Sequence, residues 1–100
     1  MFVERVTQPR AEWEQWSEWL RLDADPPPAL AASIAWEADD GTVITINVWD
    51  SPSAIADMFV ERVQPILERH GPPTNKPERL GTAVRAYMRP TLPPTSEQAT

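Results

Sequence analysis

Apolar and polar positions alternate from Leu30 to Glu37 and again from Thr42 to Trp49, with Asp39-Asp40-Gly41 between them. This two-residue period predicts a pair of strands joined by a turn. Leu30, Ala32, Ile34 and Trp36 share a side of the first strand. Ile44, Ile46 and Val48 share one face of the second, and Val43, Thr45, Asn47 and Trp49 take the other. The period changes after Trp49. Ser51 suits an N-cap, and Pro52 suits the first helical position. Ile55, Phe59, Val63 and Ile66 then recur at helical spacing, supported by Met58 and Leu67, until Gly71 and its following prolines end the helix. Pro65 removes one intrahelical hydrogen bond and crowds the turn before it, which predicts a kink between Glu61 and Pro65.

The flanking segments complete the pattern. Met1 to Val6 is β-prone at Phe2, Val3 and Val6 and predicts a first strand. The same hexamer, MFVERV, recurs at Met58 to Val63 inside the helical pattern. Identical local sequence cannot dictate both states, so tertiary context must decide at least one copy. Pro9 to Leu22 predicts a helix, with Trp13, Trp16 and Leu20 on one face and Trp19 on the flank. Asp23 to Pro28 is a stop and a rigid loop. His70 to Arg79 is a polar, proline-rich loop. Thr82 to Arg89 predicts the last strand, with Val84, Ala86 and Met88 alternating against Arg85, Tyr87 and Arg89.

The expected fold is therefore α+β, in the order βαββαβ. It is one domain over residues 1–90, with a disordered or loosely docked Pro-rich tail over residues 91–100. Right-handed crossovers give a four-stranded antiparallel sheet with two helices on one face. The opposite face is then bare, and pairing two such faces in a homodimer would cover it.

The hairpin register decides which residues share a face. A two-residue turn at Asp40-Gly41 sets Ile34 opposite Asn47. A three-residue Asp39-Asp40-Gly41 loop, with Gly41 left-handed, sets Ser33 opposite Asn47 and Ile34 opposite Ile46. The second is preferred, because it gathers Ile34, Trp36, Ile44, Ile46 and Val48 for burial under the helices. The open face would then carry Ser33, Thr45, Asn47, Trp49, Arg85 and Tyr87, with Arg5 as a further candidate.

Composition narrows the function classes. The 100 residues carry a net charge of -6 and no cysteine. A phosphate backbone would be repelled, no basic stripe offsets this, and nucleic acid is not an expected partner. Thiolate chemistry and disulfides are absent. No apolar run approaches the roughly 18 residues that span a bilayer, so no membrane partner and a cytoplasmic location are expected. Five tryptophans and twelve prolines are the compositional oddities, and the prolines punctuate loops.

The stretch from Leu22 to Gly71 resembles the dimeric α/β-barrel superfamily. Within it, NVWDS at Asn47–Ser51 and FVERVQP at Phe59–Pro65 are the most specific parts. More narrowly, the chain is similar to small actinobacterial proteins grouped near the antibiotic biosynthesis monooxygenases. The similarity covers residues 1–90. The resemblance implies a ferredoxin-like protomer, a dimer formed through the sheets, and a cavity between sheet and helices in each protomer. That differs from a pocket on the open face, and in such dimers either wall is conceivable. Relatives with this layout often place histidine near the positions of Ser33 and Arg85 and aspartate near Asn47, none of which is present. Haem-degrading members pair a first-strand asparagine with a helix histidine. The first strand here has no asparagine and His70 ends its helix, so no haem or other cofactor is expected.

Candidate chemistry centres on Asn47, Trp49, Arg85 and Tyr87. An aromatic wall, an amide, a phenol and a cation suit a planar anionic or aromatic ligand, and a tyrosine with an arginine can stabilise a phenolate before oxygen attack. The same residue types also make ordinary dimer interfaces. His70 is a candidate base, although a histidine before a helix-ending glycine more often serves the helix end. No His/Asp/Glu spacing supports a metal site. Glu12, Glu14 and Glu18 read as a solvated helix face. The expected function is a small-molecule-binding protein, with cofactor-independent monooxygenase-like activity on an aromatic or polyketide-like compound. The alternative is a non-catalytic ligand-binding or regulatory module, or a protein-interaction dimer, of the same fold.

Overall fold

The computed structural model describes residues 1–85. The elements are β1 (Phe2–Pro9), α1 (Arg10–Leu20), β2 (Leu30–Glu37), β3 (Thr42–Trp49), α2 (Pro52–Met58), a π-helical stretch (Phe59–Val63), α3 (Gln64–His70) and β4 (Glu78–Thr82). α2, the π-helical stretch and α3 follow one another without a break and make one long helix. All strand pairs are antiparallel and the sheet order is β2-β3-β1-β4. With its two helices this is the ferredoxin-like α+β arrangement. No helix among the described residues is long and apolar enough to cross a membrane.

The hairpin follows the three-residue loop. Gly41 has φ +84°, its N–H reaches Ala38 O at 3.0 Å, and the Ala38 N–H reaches Thr42 O at 2.8 Å. Glycine takes this left-handed position without the Cβ penalty other residues meet. Asp40 Oδ1 accepts the Thr42 N–H at 2.9 Å, and these hydrogen bonds hold the exposed Asp40 carboxyl below its usual range. Ser33 lies opposite Asn47 and Ile34 opposite Ile46.

The sheet face beneath the helices is nevertheless the reverse of the one expected. Val43, Asn47 and Trp49 are buried, as are Glu4 and Gln8 on β1. Ile34 and Trp36 are 53% and 46% exposed on the opposite face. The β2 and β3 residues that share a face were identified correctly, but Arg5 falls opposite Ile46 and not with Ser33, Thr45 and Asn47, and the assignment by greater hydrophobicity placed the helices on the wrong side. Trp49 and Val43, expected on a bare surface, are 0% and 3% exposed within one chain.

The termini of the elements also shift. Pro9 ends β1 and precedes α1. Arg21 then turns left-handed at φ 57° with its N–H on Ser17 O, so α1 stops at Leu20. Ser51 occupies the N-cap, but its hydroxyl pairs with Ser53 Oγ at 2.9 Å and does not cap the helix. Ahead of Pro65 the helix widens to π geometry. Proline lacks an N–H and its ring crowds the carbonyl four residues back, and the wider turn relieves both. Phe59, at the start of that turn, is 44% exposed and leaves the apolar stripe, whereas Ile66 is buried.

The last strand lies earlier than the sequence pattern places it. β4 is Glu78–Thr82, with Val3 opposite Gly81 and Glu4 opposite Arg79. The intervening Leu80 is an irregularity that breaks the two-residue period, which is why alternation missed this strand. Val84 and Arg85 lie exposed beyond it, and Ala86 to Arg89 lie outside the described residues, as does the tail over residues 91–100. The loop before β4 is held to the rest of the domain. Glu12 Oε1 accepts the Thr74 N–H at 3.0 Å and its hydroxyl at 2.7 Å, and Asn75 Nδ2 donates to Thr7 O at 2.9 Å. Glu12 is therefore a tether rather than part of a solvated face.

Arg62 fastens the long helix to the end of α1. It donates to Leu20 O at 3.1 Å and Asp25 O at 2.7 Å. Hydrogen bonds from a charged donor contribute more than neutral ones. Arg62→Met keeps much of the stem but removes these bonds and the 3.4 Å pairing with the Asp25 carboxylate. It is expected to lower unfolding stability by about 1–3 kcal/mol in urea titration.

Candidate functional site

Between α1 and the sheet lies a cavity of about 190 Å³. The helical stripe read from the sequence supplies its roof, since Trp13, Trp16 and Leu20 all face it. Leu22, just past α1, and Val6 from β1 add apolar wall. The sheet supplies most of the polar groups: Ser33 from β2, Thr45 and Asn47 from β3, and Gln8 from β1. Parity explains this grouping. Val6 pairs with Thr45, Gln8 with Val43 and Ser33 with Asn47, so these side chains rise from the same face.

Behind the cavity wall is a hydrogen-bonded chain. Ser33 Oγ donates to Asn47 Oδ1 at 2.7 Å. Asn47 Nδ2 donates to Glu4 Oε1 at 3.1 Å, and Trp49 Nε1 donates to the same oxygen at 2.9 Å. Glu4, Asn47 and Trp49 are 7%, 5% and 0% exposed. A carboxylate so far from water is tolerated because two N–H groups replace its hydration. Gln8, at 5% exposure, donates to Glu12 Oε2 at 3.2 Å.

The sequence candidates divide accordingly. Ser33, Thr45 and Asn47 line the cavity together. Trp49 sits behind it, engaged with Glu4. Arg85 is exposed past β4 and is not part of the lining. Tyr87 lies outside the described residues. Arg5 points to the open face and pairs with Glu78 at 2.6 Å. The expected placement of the pocket on the open face is thus corrected: Ser33, Thr45 and Asn47 look toward α1. Glu4 and Gln8 went unread in the sequence. Their only signal was position, because every second residue of β1 shares the face of Thr45 and Asn47.

His70 neither lines this cavity nor donates to a helix-end carbonyl. Its ring stacks on Trp19 at 3.9 Å and 7°, and Trp19 meets Trp16 edge-on at 5.8 Å. The pair supports the roof from outside. Among the described residues no three His, Cys, Asp or Glu side chains cluster as a metal-binding set.

Removing the Trp49 N–H should disturb the buried carboxylate. Trp49→Phe is expected to cost at least about 1–3 kcal/mol in chemical denaturation from the lost donor alone, and more from the smaller ring.

No family model matches the chain, and no curated protein matches it. Among solved structures it is similar to a monooxygenase from the gene ActVA-Orf6 of Streptomyces coelicolor, crystallised in complex with the ligand nanaomycin D. The match has a TM-score of 0.50 and 20% identity, and covers 90% of this chain and 92% of that one. The likeness spans almost the whole length of both chains, and what it establishes is the shared ferredoxin-like fold.

Proposed function

We propose that this chain binds a small, flat, largely apolar compound in the cavity beneath α1. The observation that carries the reading is the lining itself. Two indole rings and leucine side chains dominate the helix side, with Ser17 and Asp23 beside them, and the sheet side carries most of the polar groups together with Val6 and Ala35. Pockets for small organic ligands have this division, with apolar area for affinity and few polar groups for orientation. At about 190 Å³ the space suits a compound of two or three fused rings only if it extends through the cavity mouth. Trp13 and Trp16 report on occupancy. An aromatic ligand such as anthrone is expected to quench tryptophan fluorescence and raise the melting temperature. Ala35, another lining residue, offers a control. Ala35 is exposed at the cavity's open side, so Ala35→Phe should obstruct the mouth and weaken binding about tenfold or more, with the melting temperature of the free protein little changed. Unchanged affinity in that variant would remove the cavity from consideration.

A second reading, cofactor-independent monooxygenase-like activity, is supported by the structural neighbour, a monooxygenase of the same fold in complex with nanaomycin D. The corresponding reaction on an anthrone is balanced without a cofactor. The methylene carbon loses two hydrogens and gains one oxygen atom as a carbonyl, and the second oxygen atom leaves as water. Oxygen uptake with anthrone above the uncatalysed rate, lost in Ala35→Phe, supports turnover. Binding without uptake supports the non-catalytic module.

The open sheet face supports a homodimer. Ile34 and Trp36 are roughly half exposed there, beside Ile44, Ile46 and Val48, in a surface too apolar to face water alone. Analytical ultracentrifugation at micromolar concentration is expected to give the mass of two chains, and Ile34→Asp combined with Trp36→Glu the mass of one. A wild-type monomer would exclude the dimer.

A further inference from the structure

We infer that Glu4 fixes the direction of the hydrogen-bonded chain behind the cavity, so that Ser33 meets the ligand as a hydrogen-bond acceptor and selects compounds carrying a hydroxyl group. This assignment rests on the ligand-binding reading of the cavity. The argument begins with Trp49. An indole N–H only donates, and it points at Glu4 Oε1 at 2.9 Å, so that oxygen accepts. The Asn47 group at 3.1 Å from the same oxygen must then be its NH₂, which leaves the amide oxygen facing Ser33. Ser33 has a single hydroxyl hydrogen, and the 2.7 Å contact to Asn47 Oδ1 uses it. What Ser33 turns toward the cavity is lone pairs.

A ligand hydroxyl satisfies those lone pairs, whereas an ether or a quinone carbonyl places oxygen against oxygen with no hydrogen between. Glu4 does not line the cavity. It acts through Asn47 and is a positioning residue. Ser33 is the specificity-determining one.

The test compares α-naphthol with its methyl ether by isothermal titration calorimetry. The wild-type chain is expected to favour the naphthol by about tenfold. Glu4→Gln keeps an accepting oxygen and should keep the preference. Glu4→Met frees the Asn47 amide to turn over, lets Ser33 donate, and should bring the ratio near one. A purely structural role for Glu4 would weaken both probes together and leave the ratio intact, which would overturn the assignment. If Glu4→Met does not fold, Ser33→Ala decides: loss of the preference supports the proposal and its retention overturns it. Equal binding of both probes by the wild-type chain removes the acceptor role of Ser33 while leaving the cavity reading standing. Binding of neither probe removes both.

Discussion

The domain is organised around a buried carboxylate. Glu4 lies on β1, a central strand, and points beneath the helices. Burying such a group is costly unless donors replace its hydration. Asn47 and Trp49, both from the neighbouring β3, supply them. The requirement reaches outward from there. It commits the two strands to one register, since a slip of a single residue would turn the donors to the far face. It also orients the Asn47 amide, and through it the Ser33 hydroxyl at the cavity wall.

The same requirement explains why the helix-facing surface is less apolar than the open one. Glu4, Gln8, Ser33, Thr45 and Asn47 occupy positions that an ordinary core would fill with aliphatic side chains. Helix α1 compensates with tryptophans, which span the gap over short sheet residues and leave space beneath them. The cavity follows from pairing large roof residues with small and polar floor residues. Ile34, Ile44, Ile46 and Val48 are displaced to the outer face, where only a second surface can shield them.

Two helical features steady this roof without contributing to its lining. Arg62 reaches from the π-helical stretch to carbonyls at and just beyond the end of α1. His70, at the other end of the long helix, stacks on Trp19 and through it supports Trp16. The first contact thus comes from within the wide turn ahead of Pro65, and the second from the helix beyond it. The extra residue of that turn changes the phase of the helix, so the side chains on either side of it do not follow one straight stripe.

Much of this was legible in the chain alone. The limits of β2 and β3, the three-residue loop closed by Gly41, the Trp13-Trp16-Leu20 stripe and the Ser51-Pro52 helix start all depend on neighbours within a few residues. Short-range geometry decides such features, and the sequence states them directly. The side of the sheet taken by the helices does not work that way. Period two tells which residues stand together but not what covers them, and here the more aliphatic set is the one left outside. β4 was missed because the irregularity at Leu80 interrupts the alternation. The hexamer MFVERV shows the division most plainly: from Phe2 on, one copy is strand in β1, and the other closes α2 and forms the π-helical stretch. Local preference is the same in both, so the hydrogen-bonding partners that folding delivers, strands beside the first copy and helical turns around the second, make the choice.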